Sequence, residues 1–254
     1  MGLGGLEFVD LIPFIAVGFA AQLVDGALGM AFGVISNTLL VAVLGVPPAL
    51  ASQRVHVVEC FTTATSGLSH LLHRNVDKKL FFRLLLPGIC GGVLGAYVLT
   101  SLDASVVKPF VLIYLTGIGL YIFWRGLAYP PQIKEARHIA PLGVVGGFLD
   151  AVGGGGWGPV VTSNLLIQGA DPRKVVGTVN TVEFFLTIVV SATFIWHLGV
   201  ADVAGATLGL LIGGIAGAPI GAWAAKRFNP KHMLILVGVV LTATSAFGIY
   251  RIWA

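Results

Sequence analysis

Charge is what this chain has least of. Asp, Glu, Lys and Arg make up 10% of its 254 residues, against roughly a quarter in an ordinary soluble domain. So few charges cannot clothe a folded surface in water. Cysteine is nearly absent as well. Cys60 and Cys90 lie in apolar stretches, which leaves no disulfide framework or thiolate metal site and makes both small packing residues. No metal-ligand spacing or nucleophile–base pair is apparent. The run Gly153–Gly156 follows no strand and precedes no Gly-Lys-Ser/Thr, so it is neither a phosphate nor a dinucleotide loop. No metal, cofactor or enzymatic activity is expected. The N-terminus carries no basic n-region and no small-residue cleavage site, so a cleaved signal peptide is not expected there.

What fills the chain instead is hydrocarbon and glycine. Hydrophobic residues account for 56%, there are 35 glycines, and the mean hydropathy is +0.94. Lipid is the solvent that suits such a surface, and glycine is common where membrane helices approach closely. The net charge of +4 comes from basic residues gathered in short loops. They act as topology signals, and no nucleic-acid surface is expected.

The apolar stretches are 11–46, 55–73, 80–101, 106–125, 139–170, 178–197, 203–224 and 231–253. Six have the length of single spans, about 18–23 residues. The other two would run roughly 48–54 Å as straight helices, well beyond a hydrocarbon core of about 30 Å. Each has a glycine cluster and one acid near its middle: Asp25 with Gly26, Gly29 and Gly33, and Asp150 with Gly153–Gly156 and Gly158. Both must be broken.

The correspondence is a repeat. A displacement of 125 superimposes Gly18 on Gly143, Asp25 on Asp150, Gly29 on Gly154, Gly33 on Gly158, Pro47 on Pro172, Ser66 on Ser191 and Asp77 on Asp202. With one-residue slips Glu59 meets Glu183, and Gly91 and Gly95 meet Gly217 and Gly221. The sequence thus divides into a first repeat 1–125, a linker 126–138 and a second repeat 139–254. Basic loops at 73–83, 125–137 and 225–231 can share the cytoplasmic side only if 139–170 returns to the face it entered. The expected fold is therefore all-α and integral to the membrane. It has two inverted repeats, each a broken Gly-rich helical hairpin plus three transmembrane helices, with both termini outside the cell membrane.

Irregular backbone at membrane depth must be buried in protein or line a cavity. The helix starts after each break, at Gly29–Gly33 and at Gly154, Gly155, Gly156, Trp157 and Gly158, offer N–H groups and a positive dipole end to a small anion. Hydroxyls and amides follow: Ser36, Asn37 and Thr38, then Thr162, Ser163 and Asn164. They can bond an oxyanion or back-bond to their own helices. Asp25 and Asp150 suit a helix cap, a proton or a cation equally. Glu59 and Glu183 lie inside spans, where a carboxylate is expensive and is either protonated and structural or a coupling group. His56 suits proton traffic, and Arg54 could attract an anion or contact lipid headgroups. Asn180 occupies the corresponding stretch of the second repeat.

Two stretches carry a family resemblance. Asp25-Gly-Ala-Leu-Gly-Met-Ala-Phe-Gly33 with Leu-Gly-Val-Pro-Pro48, and Gly-Phe-Leu-Asp-Ala-Val-Gly-Gly-Gly-Gly-Trp-Gly-Pro159 with Val-Gly-Thr-Val-Asn-Thr-Val-Glu183, resemble the two halves of the TauE/SafE family of sulfite and sulfonate exporters. The resemblance implies movement of sulfite, sulfoacetate or related sulfur anions, generally outward. Members often have a Gly-Thr-Ser run where this chain has Ser52-Gln53-Arg54. The expected function is a secondary carrier of small sulfur anions with room for proton coupling. Two alternatives remain: a cation-coupled or cation-conducting protein using the four acids, and an intramembrane enzyme or binding subunit. The expected partners are the small anion and membrane lipid, with a homo-oligomer left open.

Overall fold

The computed structural model describes residues 8–28, 30–128, 138–168, 172–200, 203–225 and 230–253. Gly29, most of the 126–138 linker and the basic pair Lys226–Arg227 fall outside them. Every described element is a helix: α1 (Phe8–Leu28), α2 (Phe32–Thr38), α3 (Pro48–Leu72), α4 (Lys78–Ser101), α5 (Ala104–Leu127), α6 (Ile139–Gly153), α7 (Ser163–Ile167), α8 (Pro172–Leu198), α9 (Val203–Ala225) and α10 (Pro230–Trp253). Two π-wound stretches join them. Leu39–Val43 continues α2, and Trp157–Thr162 leads into α7.

Local chemistry sets these boundaries. Proline opens α3, α8 and α10, where its fixed φ suits the first turn and its missing N–H is no loss. Asp77 caps α4, its carboxylate accepting from the N–H groups of Lys79 and Leu80 at 2.8 and 3.1 Å. Gly154 ends α6 with φ +62°, the left-handed conformation that glycine adopts without strain.

Both long apolar segments are interrupted, the first between α1 and α2 and the second at Gly154, as their length demands. Of the six stretches expected to span singly, three described segments are both long and apolar enough to do so: Lys78–Ser101, Ala104–Leu127 and Lys174–Leu198. Helix α3 is 25 residues long but carries Gln53, Arg54, His56 and Glu59, which lower its hydropathy. The outer faces are apolar. Phe82, Leu86, Phe110, Trp124, Trp196, Ile215, Phe247 and Tyr250 are each more than half exposed, a surface that fits lipid and not water.

The helices pack across the two halves of the sequence. α1 lies chiefly on α9 and α6 chiefly on α4, while α3 pairs with α8 and α5 with α10. Within the α3–α8 and α5–α10 pairs the helices run antiparallel. At one end of the α3–α8 pair, Gln53 Nε2 donates to the Gly199 carbonyl (2.9 Å); at the other, Lys174 Nζ donates to the Arg74 carbonyl (2.7 Å). Near that second end the Asp77 N–H, just before α4, donates to Thr178 Oγ1 (2.8 Å). In the α5–α10 pair, Gly119 abuts Thr242, Gly126 abuts Ile235 and Gly238 abuts Phe123, again an antiparallel order.

Glycine makes the cross-half contacts possible. A Cβ at Gly91 would overlap the Val144 carbonyl of α6, and one at Gly213 would overlap the Ile15 carbonyl of α1. These obstacles are backbone and cannot swing aside. Gly91→Leu and Gly213→Leu are expected to prevent assembly of the native fold, because overpacking a fixed contact costs at least about 1–3 kcal/mol. Gly117→Ala, whose Cβ would meet nothing within 4 Å, serves as the neutral comparison. Detergent size-exclusion profiles and thermal unfolding check all three.

Candidate functional site

The two breaks touch. Gly33, one residue into α2, lies so close to the second break that a Cβ there would sit 2.7 Å from the Gly154 carbonyl oxygen and the Gly155 Cα, and 2.6 Å from Glu59 Oε1. Gly155 has φ +140° and presses on the Gly33–Val34 peptide. The aspartate before each break closes its own bend. Asp150 Oδ1 accepts from the N–H groups of Gly156 and Trp157 at 2.7 and 2.9 Å. Asp25 Oδ1 accepts from the Phe32 N–H at 3.3 Å. Phe32 corresponds to Trp157 under the displacement of 125, so the two carboxylates satisfy equivalent backbone donors.

Beside this crossing lies a cavity of about 280 Å³, room for about nine waters at roughly 30 Å³ each and hence for a small solute. Its walls hold the first break (Met30, Ala31, Phe32, Gly33, Val34), the second (Gly155, Gly158, Pro159, Thr162), and Gln22 and Asp25 from α1. Glu59, Thr62, Thr63, Ser66 and His70 line it from α3, and Val176, Asn180 and Glu183 from α8. Glu59 is 5% exposed, and its Oε2 has no hydrogen-bond partner among the described residues. Ala31 lies in the wall with φ +103°, a conformation that strains any residue bearing a Cβ and that marks a constrained site.

The other described sequence candidates are not in the cavity wall, and several of them gather around the second break. His56, fully buried, places Nε2 3.1 Å from Asp150 Oδ2 and Nδ1 2.8 Å from the Ser52 carbonyl oxygen. Ser52 Oγ donates to the Ala151 carbonyl (2.6 Å), and Asn37 Nδ2 donates to the Gly153 carbonyl (2.5 Å). Trp157 is fully buried, donates Nε1–H to the Val179 carbonyl (3.2 Å), and packs its ring on Gly88. Ser163 Oγ faces Met30 Sδ at 3.8 Å, and Asn164 Oδ1 accepts from Gln168. Ser36 is fully buried, and Arg54 lies over the Phe14 ring at 5.9 Å from its centroid.

The expected symmetric pair of helix ends is therefore uneven. Asp150 holds two leading N–H groups of the second break and Asp25 holds one of the first, while both breaks contribute to the cavity wall. Two further groups belong to the site without having been singled out. Thr62, Thr63 and Ser66 stand three, four and seven residues after Glu59, a helical stripe visible in the sequence. Tyr114 leaves no such trace: its ring meets Gly153 and its hydroxyl approaches Gly156. Among the described residues no group of three or more His, Cys, Asp or Glu is placed to hold a metal.

Comparison with known proteins agrees with this architecture. The model of the family described as sulfite exporter TauE/SafE matches residues 14–247. A Bacillus subtilis protein named probable membrane transporter protein YtnM is 44% identical over 252 residues, covering 96% of this chain and 84% of its own. Probable membrane transporter proteins of Haemophilus influenzae and Xylella fastidiosa are 24% and 25% identical, covering 81% and 94% of this chain and 84% and 93% of their own. No solved structure matches. The chain belongs to the TauE/SafE family of membrane transporters.

Proposed function

We propose that the chain is a secondary carrier of small sulfur oxyanions such as sulfite or organosulfonates, and that it moves them outward through an inverted repeat. The observation that carries this reading is the cavity where the two glycine breaks meet. Interrupted helices crossing beside a polar cavity are the usual place for a carrier's substrate. The antiparallel course of α3 against α8 and of α5 against α10 supports the inversion, since inverted halves reverse every corresponding helix. Arg74, Lys78, Lys79, Arg83 and Lys174 gather at one end of the α3–α8 pair, which marks that end as cytoplasmic. Ser66, His70 and Val176 carry the cavity wall toward the same end. The site would thus load from the cytoplasm, as an exporter requires. The family's description and the repeat glycines point to sulfur anions as the class.

The acids in the wall give this reading a proton. Asp25, Glu59 and Glu183 line the cavity, which has no Lys or Arg among its described lining residues. An ionised carboxylate about 4 Å from an anion repels it by about 4 kcal/mol at an effective dielectric constant near 20, close to a thousandfold in affinity. Anion and proton binding are therefore linked, each favouring the other. Glu59→Gln is expected to retain anion binding with a weaker pH dependence, since Asp25, Glu183 and His70 still line the cavity. Wild-type binding should tighten as pH falls and wall carboxylates take up protons; the variant's should tighten less. Anion-induced thermal stabilisation across pH checks this.

The same carboxylates carry the second reading, a cation as the coupling or conducted ion. Current from liposomes on a solid support separates the two, with sulfite, sulfoacetate, sulfate, chloride and Na⁺ applied in turn at two pH values. Current evoked by sulfite or a sulfonate and altered by pH supports the anion carrier. Current evoked by Na⁺ alone supports the cation reading and removes the first.

A further inference from the structure

The surroundings of the two capping aspartates differ in one place that the repeat makes comparable. Asp150 uses Oδ1 to hold its own break and Oδ2 to meet His56 at 3.1 Å. The same first turns of α3 reach α6 again through Ser52 and the Ala151 carbonyl (2.6 Å). Ser52 and His56 are both fully buried, so this side of the crossing is closed. In the other half, the slip that places Glu59 on Glu183 places His56 on Asn180. Asn180 lines the open cavity together with Asp25, and its amide turns back to the Val176 carbonyl at 2.9 Å. Corresponding helices thus stand in two relations to corresponding aspartates: α3 is latched onto the second break, and α8 stands off the first.

We propose that His56 and Asn180 are the positioning residues that set which side of the membrane the site faces. Carriers built from related halves can exchange the conformations of the halves. In the exchanged state Asn180 meets Asp25 and closes the side where Ser66 and His70 now line the cavity. At the same time Ser52 and His56 leave Ala151 and Asp150 and open the opposite side. The His56–Asp150 contact is present in one state only, so it biases the equilibrium by its own free energy. Histidine here and asparagine there favours the state seen in the structure. This inference rests on the inverted carrier proposed above and adds to it the residues that hold each door.

Exchanging the two side chains tests it. In full-length protein with Cys60→Ser and Cys90→Ser, a single reporter cysteine is placed at Ser52 or at Ser66 and labelled with a membrane-impermeant maleimide applied to each face of vesicles. Against this background, the double exchange His56→Asn with Asn180→His is expected to raise Ser52→Cys labelling about tenfold and lower Ser66→Cys labelling by the same factor, the size of a shift for one buried polar contact. Opposite changes support the proposal. A rise at both positions, a rise at Ser52→Cys alone, or no change at either overturns it. If the double exchange does not yield folded protein, Asn180→His alone is expected to lower Ser66→Cys labelling, and unchanged labelling overturns the proposal. Sulfite exchange on the same vesicles keeps the two claims apart. Opposite labelling changes without sulfite flux leave the doors standing and remove the substrate; flux without opposite changes does the reverse.

Discussion

Gly155→Ala is expected to reduce transport on the order of a hundredfold while the protein still inserts in the membrane. The substitution acts in two ways. Gly155 has φ +140°, where a residue with a Cβ is strained by about 1–3 kcal/mol. The added carbon would also overlap the Gly33–Val34 peptide, so the two breaks must move apart by a good fraction of an ångström. Misplacement of about 1 Å at a reacting or binding centre costs roughly a hundredfold. Gly45→Ala separates the two effects, because Gly45 has φ +71° with nothing within 4 Å of a Cβ. It bears the strain without the overlap and should transport at near the normal rate. Flux per unit of inserted protein measures both. Normal flux through Gly155→Ala protein would show that the breaks need not touch for transport.

Asp150→Ala is expected to lower the unfolding temperature far more than Asp25→Ala, although the two residues are equivalent in the repeat. Removing Asp150 strands two buried N–H groups and the His56 ring together. Leaving buried polar groups without partners costs about 1–3 kcal/mol each, so the loss is several kcal/mol, or on the order of 10 °C at about 2–4 °C per kcal/mol. Asp25 holds one backbone N–H at 3.3 Å, a cap worth about 1 kcal/mol. Asp150→Asn, which keeps an oxygen to accept from Gly156 and Trp157, should recover much of the loss. Thermal unfolding in detergent checks the series. Equal losses for Asp150→Ala and Asp25→Ala would mean that the second break is not the anchored one.

Much of this architecture is legible in the sequence because it follows from constraints that act locally. Too few charges, and apolar runs too long to span straight, place the chain in lipid and break it at its glycines. The displacement of 125 identifies which helices correspond, since matches at Asp, Gly and Pro owe little to hydrophobicity. Glu59 and Glu183 stand out as acids within apolar helices, and both line the cavity. What the sequence hides is set by contacts between distant segments. That Asp150 meets His56 across 94 positions, or that Tyr114 presses on Gly153 and Gly156, leaves no periodic trace. Trp157, adjacent to a break, packs its ring against Gly88, where a Cβ would leave no room, and donates its N–H to the Val179 carbonyl. Arg54 lies over the Phe14 ring and not in the cavity wall. The unevenness between halves escapes notice for the same reason: a repeat advertises what is equal, and His56 against Asn180 is a difference.

The most direct test of the central claim is counterflow of labelled sulfite in liposomes containing the purified protein. Vesicles loaded with unlabelled sulfite and diluted into a trace of labelled sulfite should take up label transiently, above protein-free vesicles, faster under an inward proton gradient, and in competition with sulfoacetate. A carrier gives this overshoot because each outward step returns an empty or reloaded site. Uptake no greater than in protein-free vesicles, with sulfite and with sulfonates alike, would contradict the assignment of a small sulfur anion to this cavity.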